Sequence, residues 1–172
     1  MFNKITIIGL GLIGSSIARA IKKNHLCKNL VAHDKSKRVL KKILKLKITN
    51  HIEPNLKKSV QDSDLVIICT PLGTYKNIVS VIKNYVKNTC ILTDVGSAKI
   101  FVTNTVNKLI NKNTIWIPAH PVAGTEQSGP EAGFADLFKN RWCIITPVNK
   151  KNPNSLKKLN NFWKKLAVKF NI

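Results

Sequence analysis

Short apolar runs alternate along the chain with longer segments in which apolar positions recur every three or four residues. The short runs predict β-strands at 4–8, 30–33, 48–51, 65–69, 90–93, 115–118 and 142–146. The longer segments predict helices at 13–23, 36–46, 75–86, 99–110 and 153–170. The continuously apolar run at 65–69 is typical of a strand buried on both faces. Alternation of strands and helices with short connections predicts an α/β fold with a doubly wound, mostly parallel sheet.

The first predicted strand leads directly into a glycine motif, at the sheet edge where ligands bind in such folds. This G-x-G-x-x-G motif consists of Gly9, Gly11 and Gly14, with Leu12 and Ile13 inside it. In such a motif the glycines serve, in order, a tight turn, a close approach of the pyrophosphate and close helix–strand packing. The strand before the motif and the helix after it are the required context. The sequence therefore predicts a Rossmann dinucleotide-binding fold.

Asp34 follows the second predicted strand, 20 positions after Gly14. A carboxylate at that place accepts hydrogen bonds from the adenosine ribose hydroxyls and repels a 2′-phosphate. Lys35, Lys37 and Arg38 stand beside it and would weaken the repulsion. We therefore expect NAD as the cofactor, with NADP as the less favoured alternative.

Two further strand ends carry candidate residues. Thr70 and Pro71 follow the strand at 65–69 on the expected nicotinamide side, so we predict that they contact the cofactor, mostly through their backbone. Ser97 follows the strand at 90–93 and is a candidate N-cap of the next helix, with its hydroxyl also available for other contacts. Lys99 is interpreted as a solvated lysine.

His120 follows the strand at 115–118 and opens a glycine-rich loop that runs to about residue 138. Hydride removal from a carbinol carbon needs a group that holds or takes the hydroxyl proton, and imidazole titrates near neutral pH. His120 is therefore a candidate acid–base residue of an NAD-dependent oxidoreductase, with a purely structural histidine as the alternative. The other histidines, His25, His33 and His51, are expected on the surface or in packing.

Composition adds a competing class of function. The 172 residues fit one domain. A net charge of +21 favours nucleic acid or an anionic membrane as a partner. However, only Arg19, Arg38 and Arg141 among the 29 basic residues are arginines, the side chain that phosphate and base contacts prefer. Because the lysines are also spread over the whole length, we expect no nucleic-acid partner.

The cysteines and the hydropathy profile indicate the cell compartment. The four cysteines, Cys27, Cys69, Cys90 and Cys143, form no C-x-x-C pair. They predict reduced core thiols in a cytoplasmic protein, with no metal site. No segment approaches 18 unbroken apolar residues, so no membrane span is predicted.

Several motifs taken together resemble the prephenate/arogenate dehydrogenase family of tyrosine biosynthesis. They are G-L-G-L-I-G-S-S at 9–16, D-V-G-S-A-K at 94–99, H-P-V-A-G-T-E-Q-S-G at 120–129, L-F at 137–138 and W-C-I-I-T-P at 142–147. The string at 120–129 is far more specific than the glycine motif. The resemblance covers almost the whole chain, as the nucleotide-binding domain of the family. It implies NAD-dependent oxidative decarboxylation of prephenate to 4-hydroxyphenylpyruvate, or of arogenate to tyrosine.

The resemblance also implies roles for individual residues. His120 would hydrogen-bond the ring hydroxyl of the substrate and polarise it as hydride leaves the same carbon. Ser97 would orient His120, that hydroxyl and the nicotinamide, while Thr125 and Glu126 would line the substrate pocket.

Members of the family continue into a helical domain that forms a homodimer and completes the substrate site. Residues 1–172 are therefore expected to be an NAD-binding domain that ends in a helix at about 153–170. A non-catalytic NAD(H)-binding module is the alternative to an active dehydrogenase.

Overall fold

The computed structural model describes residues 1–147, 152–166 and 168–171, and this part of the chain forms nine strands and six α-helices. The strands are β1 (Phe2–Ile8), β2 (Cys27–His33), β3 (His51–Ile52), β4 (Leu65–Ile68), β5 (Ile91–Asp94), β6 (Ile115–Trp116), β7 (Ala119–Pro121), β8 (Trp142–Ile145) and β9 (Lys169–Asn171). The helices are α1 (Leu12–Lys23), α2 (Lys37–Lys45), α3 (Leu56–Val60), α4 (Tyr75–Ile82), α5 (Lys99–Asn107) and α6 (Pro153–Lys165), with a 3₁₀ turn at Leu72–Thr74.

The main sheet has six parallel strands in the order β3-β2-β1-β4-β5-β6. The chain first builds outward from β1 through β2 to β3, then returns to place β4 on the other side of β1. This order is that of a dinucleotide-binding sheet, whose ligand crevice lies where the winding direction changes. The predicted doubly wound, mostly parallel α/β fold is confirmed.

The apolar core lies on both faces of the main sheet. Ile67 of β4 packs in a cluster with α1 and α6, whereas Val66 and Ile68 pack in a second cluster with α4 and α5. All three side chains are fully buried. The uninterrupted apolar run of β4 therefore reflects burial on both faces, as predicted.

A smaller sheet of β7, β8 and β9 lies beside the main one, with β7 antiparallel and β9 parallel to β8. The expected strand at 115–118 ends at Trp116, and the chain then changes sheets, because Ala119–Pro121 pairs with β8. His120 thus lies inside a strand and not at the start of a loop. The predicted C-terminal helix is also too long, since α6 ends at Lys165 and residues 169–171 pair with β8.

The remaining differences from the sequence-based elements lie at element ends. The strand predicted at 48–51 is wrong, because the Ile48 N–H closes the end of α2 by donating to the Ile43 carbonyl oxygen, and pairing begins only at His51. Helices α4 and α5 end at Ile82 and Asn107, short of the predicted ends, and α3 was not predicted. None of the helices in the described residues combines the length and the apolar character that a bilayer crossing requires.

The first strand and the last helix are in contact. The rings of Phe2 and Phe162 meet edge to face with centroids 6.0 Å apart, and Lys158 Nζ lies 4.4 Å from the Phe2 ring centroid. Phe162 and Phe138 both pack edge to face on Trp163, which is fully buried. Helix α6 therefore covers an aromatic part of the core beside β1.

Asp64 fastens the amino-terminal end of the main sheet. Its carboxylate accepts hydrogen bonds from the Asn3 N–H at 2.5 Å, the Lys4 N–H at 3.3 Å and Lys87 Nζ at 2.6 Å. Burial alone would raise the pKa of this carboxyl, but the hydrogen bonds from Lys87, Asn3 and Lys4 together hold it below its ordinary value. The ionised form is therefore favoured by folding.

We expect Asp64→Asn to lower the free energy of unfolding at pH 7 by about 1–2 kcal/mol, because it weakens hydrogen bonds to a charged group. Since the folded pKa is depressed, this stabilisation is present above the unfolded value, about 3.9, and is lost as pH falls through the lower folded value. Urea unfolding at pH 7 and pH 3 measures both effects. The control is Asp62→Asn, an exposed carboxylate at φ 59° where Asn is equally accommodated. An equal loss in both variants, or a loss that is undiminished at pH 3, would contradict this account.

Candidate functional site

The predicted cofactor-binding residues and Ser97 lie along the carboxyl-end edge of the main sheet. Strands β1, β2, β4 and β5 are parallel, so the segments that follow them emerge on the same side. Backbone hydrogen bonds join these segments, from the Gly9 N–H to the His33 carbonyl oxygen at 2.8 Å and from the Cys69 N–H to the Ile8 carbonyl oxygen at 2.7 Å. The ends of three neighbouring strands are thereby held as one surface.

The glycine turn between β1 and α1 is tightly packed. Gly9 has φ 92°, a left-handed conformation that favours glycine, and a Cβ there would stand 2.7 Å from Cγ2 of Thr70. A Cβ on Gly14 would overlap the carbonyl oxygen of Gly9. Glycine at these two positions is therefore a requirement of packing between α1 and the strand ends.

The amino terminus of α1 is open to a ligand. Gly11 is the N-cap residue, it is exposed, and a Cβ there would meet no atom within 4 Å. No side chain caps this helix end, so the N–H groups of Leu12 and Ile13 remain available to an anion. The backbone cradle that a pyrophosphate needs is present here.

Asp34 lies beside this cradle, and its carboxylate is fixed by backbone donors. Oδ2 accepts from the Leu10 N–H at 2.9 Å and Oδ1 from the Ser36 N–H at 2.9 Å. Each oxygen keeps acceptor capacity for a ribose hydroxyl. Lys35 and Arg38 are exposed next to it, as the sequence suggested.

Thr70 and Pro71 border the glycine turn from the β4 side. Thr70 is half-buried against Gly9, and its Oγ1 lies 2.8 Å from Oγ1 of Thr74. Pro71 is exposed and precedes the 3₁₀ turn, with its carbonyl oxygen 2.7 Å from the same Thr74 hydroxyl. These hydrogen bonds close the loop next to the open end of α1.

A buried ion pair lies beneath the turn that joins β5 to α5. Lys99 Nζ is 2.6 Å from both carboxylate oxygens of Asp94 and 2.7 Å from the carbonyl oxygen of Ala119. The Asp94 side chain is 0% exposed and that of Lys99 15%. The interpretation of Lys99 as a solvated lysine is therefore wrong, because its ammonium pairs with a fully buried carboxylate at the end of β5.

The surroundings of this pair act on its ionisation in opposing ways. Burial raises the pKa of the Asp94 carboxyl, against the charge of Lys99 and the hydrogen bonds from Lys99, Gly96 and Ala119. Burial likewise lowers the pKa of the Lys99 ammonium, against the charge of Asp94. The hydroxyl of Tyr75, itself fully buried, lies 3.3 Å from Asp94 Oδ2, and burial raises the pKa of this phenol.

His120 stands at the junction of the two sheets. Its Nδ1 lies 3.4 Å from the carbonyl oxygen of Val95, in the turn that follows β5. A hydrogen bond to a carbonyl oxygen requires the proton on Nδ1, which leaves Nε2 of the neutral ring as an acceptor. The ring is half-buried, and the paired positions Val122, Trp142 and Ile144 on the same sheet face are exposed. His120 therefore lies on a partly apolar, accessible face of the small sheet.

The other predicted substrate-side residues are exposed. Ser97 lies in the β5–α5 turn, and no hydrogen bond among the described residues joins its hydroxyl to His120. Its predicted N-cap role is wrong, because Ala98 occupies the cap position of α5. Thr125 and Glu126 follow β7, where Thr125 Oγ1 accepts from the Gln127 N–H at 3.3 Å.

The glycine-rich segment after β7 is fastened to α1. The Phe134 N–H donates to Ser16 Oγ at 3.1 Å, and the Arg19 guanidinium donates to the Pro130 carbonyl oxygen at 3.2 Å. Gly133 packs so closely on α1 that a Cβ there would overlap Ser15 Oγ. The segment that carries Thr125 and Glu126 is thus connected to the helix that presents the phosphate cradle.

The cysteines and histidines outside this edge behave largely as expected. All four cysteines are free, although only Cys90 and Cys143 are buried and the other two are half-buried. His33 is buried with Nδ1 2.8 Å from the Glu53 carbonyl oxygen, while His25 and His51 are exposed. The described residues contain no group of three or more His, Cys, Asp or Glu placed to hold a metal ion.

Asp94 and Tyr75 were not predicted as parts of the site. One sequence signal could have found the Asp94–Lys99 pair: an acidic residue that ends an apolar strand, with a lysine five positions later in the first helical turn. Since an ionised group at the end of a buried strand needs a partner, the nearest lysine on the following helix is the natural candidate.

Comparison with known proteins gives a consistent family result. A family model described as the nucleotide-binding domain of prephenate dehydrogenase matches residues 17–172. The chain is 33% identical, over all of its 172 residues, to the cyclohexadienyl dehydrogenase of Zymomonas mobilis. It covers 58% of that protein, so it spans little more than half the length of this curated relative.

Solved structures give the same picture of the fold. An arogenate dehydrogenase from Synechocystis superposes with a TM-score of 0.88 and 25% identity, covering 98% of this chain and 58% of that one. A prephenate dehydrogenase from Aquifex aeolicus, in complex with hydroxyphenyl propionate and NAD⁺, gives a TM-score of 0.84 and 21% identity. That match covers 99% of this chain and 59% of the Aquifex chain.

Proposed function

Because the chain belongs to the prephenate dehydrogenase family, we propose that it is the NAD-binding part of an enzyme that oxidatively decarboxylates prephenate to 4-hydroxyphenylpyruvate in tyrosine biosynthesis. The observation that carries the proposal is the position of His120. Its ring stands beside the β5–α5 turn, at the same sheet edge as the open end of α1 and Asp34. The activity of the whole protein is part of this proposal. A helical domain and a homodimer, as in the family, are part of it too.

The cofactor part of the proposal rests on the glycine turn and Asp34. The pyrophosphate would bind the N–H groups at the start of α1, at the turn formed by Gly9, Gly11 and Gly14. The carboxylate of Asp34 would accept the ribose hydroxyls, which favours NAD. The nucleotide-binding family model and the NAD⁺ in the Aquifex structure support a dinucleotide cofactor. When bound, the nicotinamide accepts the hydride.

His120 would act on the ring hydroxyl of the substrate. Its Nε2 accepts a hydrogen bond from that hydroxyl, and the bond strengthens as the C–H bond on the same carbon breaks and the C–O bond gains carbonyl character. Loss of CO₂ then returns the carboxylate bonding electrons to the ring, which becomes aromatic as 4-hydroxyphenylpyruvate. Prephenate and NAD⁺ thus give 4-hydroxyphenylpyruvate, CO₂ and NADH, with atoms and electrons balanced.

Three further residues complete the proposed substrate side. Ser97 is exposed in the turn that also carries the Val95 carbonyl oxygen, so its hydroxyl is available to the substrate and to the nicotinamide. Thr125 and Glu126 are exposed in the segment that is fastened to α1. Thr70 and Pro71 would face the cofactor from the β4 side.

Arogenate is the second candidate substrate, because a solved structure that superposes with a TM-score of 0.88 is an arogenate dehydrogenase. The two substrates differ in a keto or an amino group on the side chain, away from the ring hydroxyl that His120 would contact. The proposed role of His120 is therefore the same for both.

The test follows reduced nicotinamide by absorbance after mixing the chain with prephenate or arogenate and with NAD⁺ or NADP⁺. NADH binding, measured separately by fluorescence, reports whether the cofactor site is intact. Turnover of prephenate with NAD⁺ supports the proposal, and turnover of arogenate alone selects the second substrate. NADH binding without turnover, even when the helical domain of a relative is added, would favour a non-catalytic NAD(H)-binding module.

Cofactor choice gives a further prediction. Asp34→Asn should raise the affinity for NADPH relative to NADH about tenfold, which corresponds to about 1.4 kcal/mol. The amide still accepts from the Leu10 N–H but no longer repels a 2′-phosphate beside Lys35 and Arg38. The matched control is Glu131→Gln, which removes an exposed carboxylate that pairs with Lys42 on α2. An unchanged NADPH to NADH ratio in Asp34→Asn, or the same change in both variants, would refute this role of Asp34.

A further inference from the structure

We propose that Asp94 and Lys99 form a positioning pair that fixes both the backbone of His120 and the carbonyl oxygen that faces its ring, so that Nε2 remains the free ring acceptor. The inference rests on the proposed role of His120. Neither Asp94 nor Lys99 would touch the reacting atoms.

The ion pair holds the backbone of the residue before His120. The Ala119 N–H donates to Asp94 Oδ1 at 3.2 Å, and Lys99 Nζ donates to the Ala119 carbonyl oxygen at 2.7 Å. Both polar backbone groups of the residue that precedes His120 are therefore held by the two members of one ion pair.

This arrangement replaces a missing strand. In the small sheet β7 lies at the edge and pairs only with β8 among the described strands. The backbone of Ala119 points away from β8, because the flanking bonds to β8 are made by Pro118 and Val122. Asp94 supplies the acceptor and Lys99 the donor that a further strand would provide. The edge that carries His120 is thus held without β-pairing on its outer side.

Asp94 also holds the turn that faces the ring of His120. The Gly96 N–H donates to Asp94 Oδ2 at 2.9 Å, which folds the turn back on the end of β5. That turn carries the Val95 carbonyl oxygen, 3.4 Å from Nδ1 of His120. The Asp94 carboxylate therefore positions two groups. They are the strand from which the imidazole of His120 projects and the Val95 carbonyl oxygen that keeps a proton on Nδ1.

The choice of residues also points to more than packing. A buried ion pair is often no more stabilising than apolar residues of similar volume. One position earlier on β5, Thr93 joins β5 to the segment after β6 with a single neutral hydrogen bond to the Ile117 carbonyl oxygen at 2.7 Å. Together with the backbone hydrogen bond from the Ile117 N–H to the Leu92 carbonyl oxygen at 3.0 Å, it joins these segments through neutral groups. The charged pair occurs only where both the His120 backbone and the facing turn must be oriented.

The test measures the tautomer of His120 directly, by long-range ¹H–¹⁵N correlation of its ring nitrogens above the imidazole titration range. We expect mainly the Nδ1–H form in the unmodified chain. Lys99→Met should shift it towards the Nε2–H form, and Lys99→Arg should retain the Nδ1–H form because the guanidinium can still donate. In the turnover assay, Lys99→Met should lower kcat about tenfold or more with the KM for NAD⁺ unchanged.

Thr93→Val is the matched control, because it removes a buried hydrogen bond from the adjacent residue without touching Asp94. It should leave the tautomer of His120 unchanged. If Lys99→Met does not fold, the double variant Asp94→Asn, Lys99→Met, which carries no unpaired buried charge, takes its place in the same measurement.

Two results would overturn the proposal. One is an unchanged His120 tautomer in a folded Lys99→Met chain that still binds NADH. The other is an equal shift in Thr93→Val, which would show that any loosening of β5 suffices. The tautomer is read without substrate, so a failure of the proposed function, seen as no turnover in the unmodified chain, is distinguished from a failure of the positioning role.

Discussion

Replacement of His120 by Asn is expected to lower turnover of prephenate by about 10²- to 10⁴-fold, the usual contribution of a positioned acid–base group. The amide of Asn can still donate to the Val95 carbonyl oxygen, which is the contact that His120 Nδ1 makes. It provides no basic nitrogen in the place of Nε2, so the hydrogen bond that strengthens during hydride loss disappears. NADH binding should remain within about twofold of the original, since the cradle at α1 is untouched.

The measurement is steady-state turnover together with NADH fluorescence titration. His25→Asn is the matched control, because His25 is exposed and its φ of 50° suits Asn. This variant should keep both activity and affinity. Retained turnover in His120→Asn would remove His120 from the mechanism while leaving the family membership in place.

Loss of one partner of the Asp94–Lys99 pair should cost about 3–5 kcal/mol of unfolding free energy, because it leaves a charge buried without a counter-ion. The carboxylate of Asp94 has no exposed surface, so water cannot replace Lys99. The double variant Asp94→Asn, Lys99→Met should lose less than either single variant, since no unpaired charge remains. A stability change and the orientation of His120 are separate consequences of the same contacts.

Urea unfolding of the two single variants and the double variant completes a double-mutant cycle. A coupling energy of about 2 kcal/mol or more is expected for groups in direct contact. Additive losses, with no coupling, would show that the two charges are stabilised independently and would weaken the account of a single ion pair.

Strand β4 and the glycine turn show which features a sequence can predict. Residues 65–68 are apolar without interruption because both faces of β4 are buried, so this burial can be inferred directly from the sequence. Gly9 and Gly14 are dictated by contacts within one β-α unit and with Cys69 and Thr70 at the end of the neighbouring strand β4. Such local constraints produce motifs, so the fold class and the cofactor edge could be predicted.

Lys99 and β7 show why the rest could not be predicted. Asp94, five positions earlier, is the one local sign of the surroundings of Lys99, and its second contact, the Ala119 carbonyl oxygen, lies 20 positions away. The assignment of Ala119–Pro121 to a second sheet depends on β8, more than 20 residues later. Residues 169–171 pair with β8, and this pairing is a contact that periodicity does not encode. These features depend on tertiary pairing, which overrides local propensity.

The contact between Phe2 and helix α6 has a consequence for the order of folding. β1 is the central strand of the main sheet, and β2 can pair with it once the first 33 residues are available. The aromatic surface around Phe2 and Phe138, however, is covered only when residues 153–166 have been synthesised. A nascent chain that has reached residue 150 therefore contains most of its parallel sheet, but the aromatic surface beside that sheet is still uncovered. Such a surface attracts other unfolded chains, so the synthesis and packing of α6 lower the exposure to aggregation.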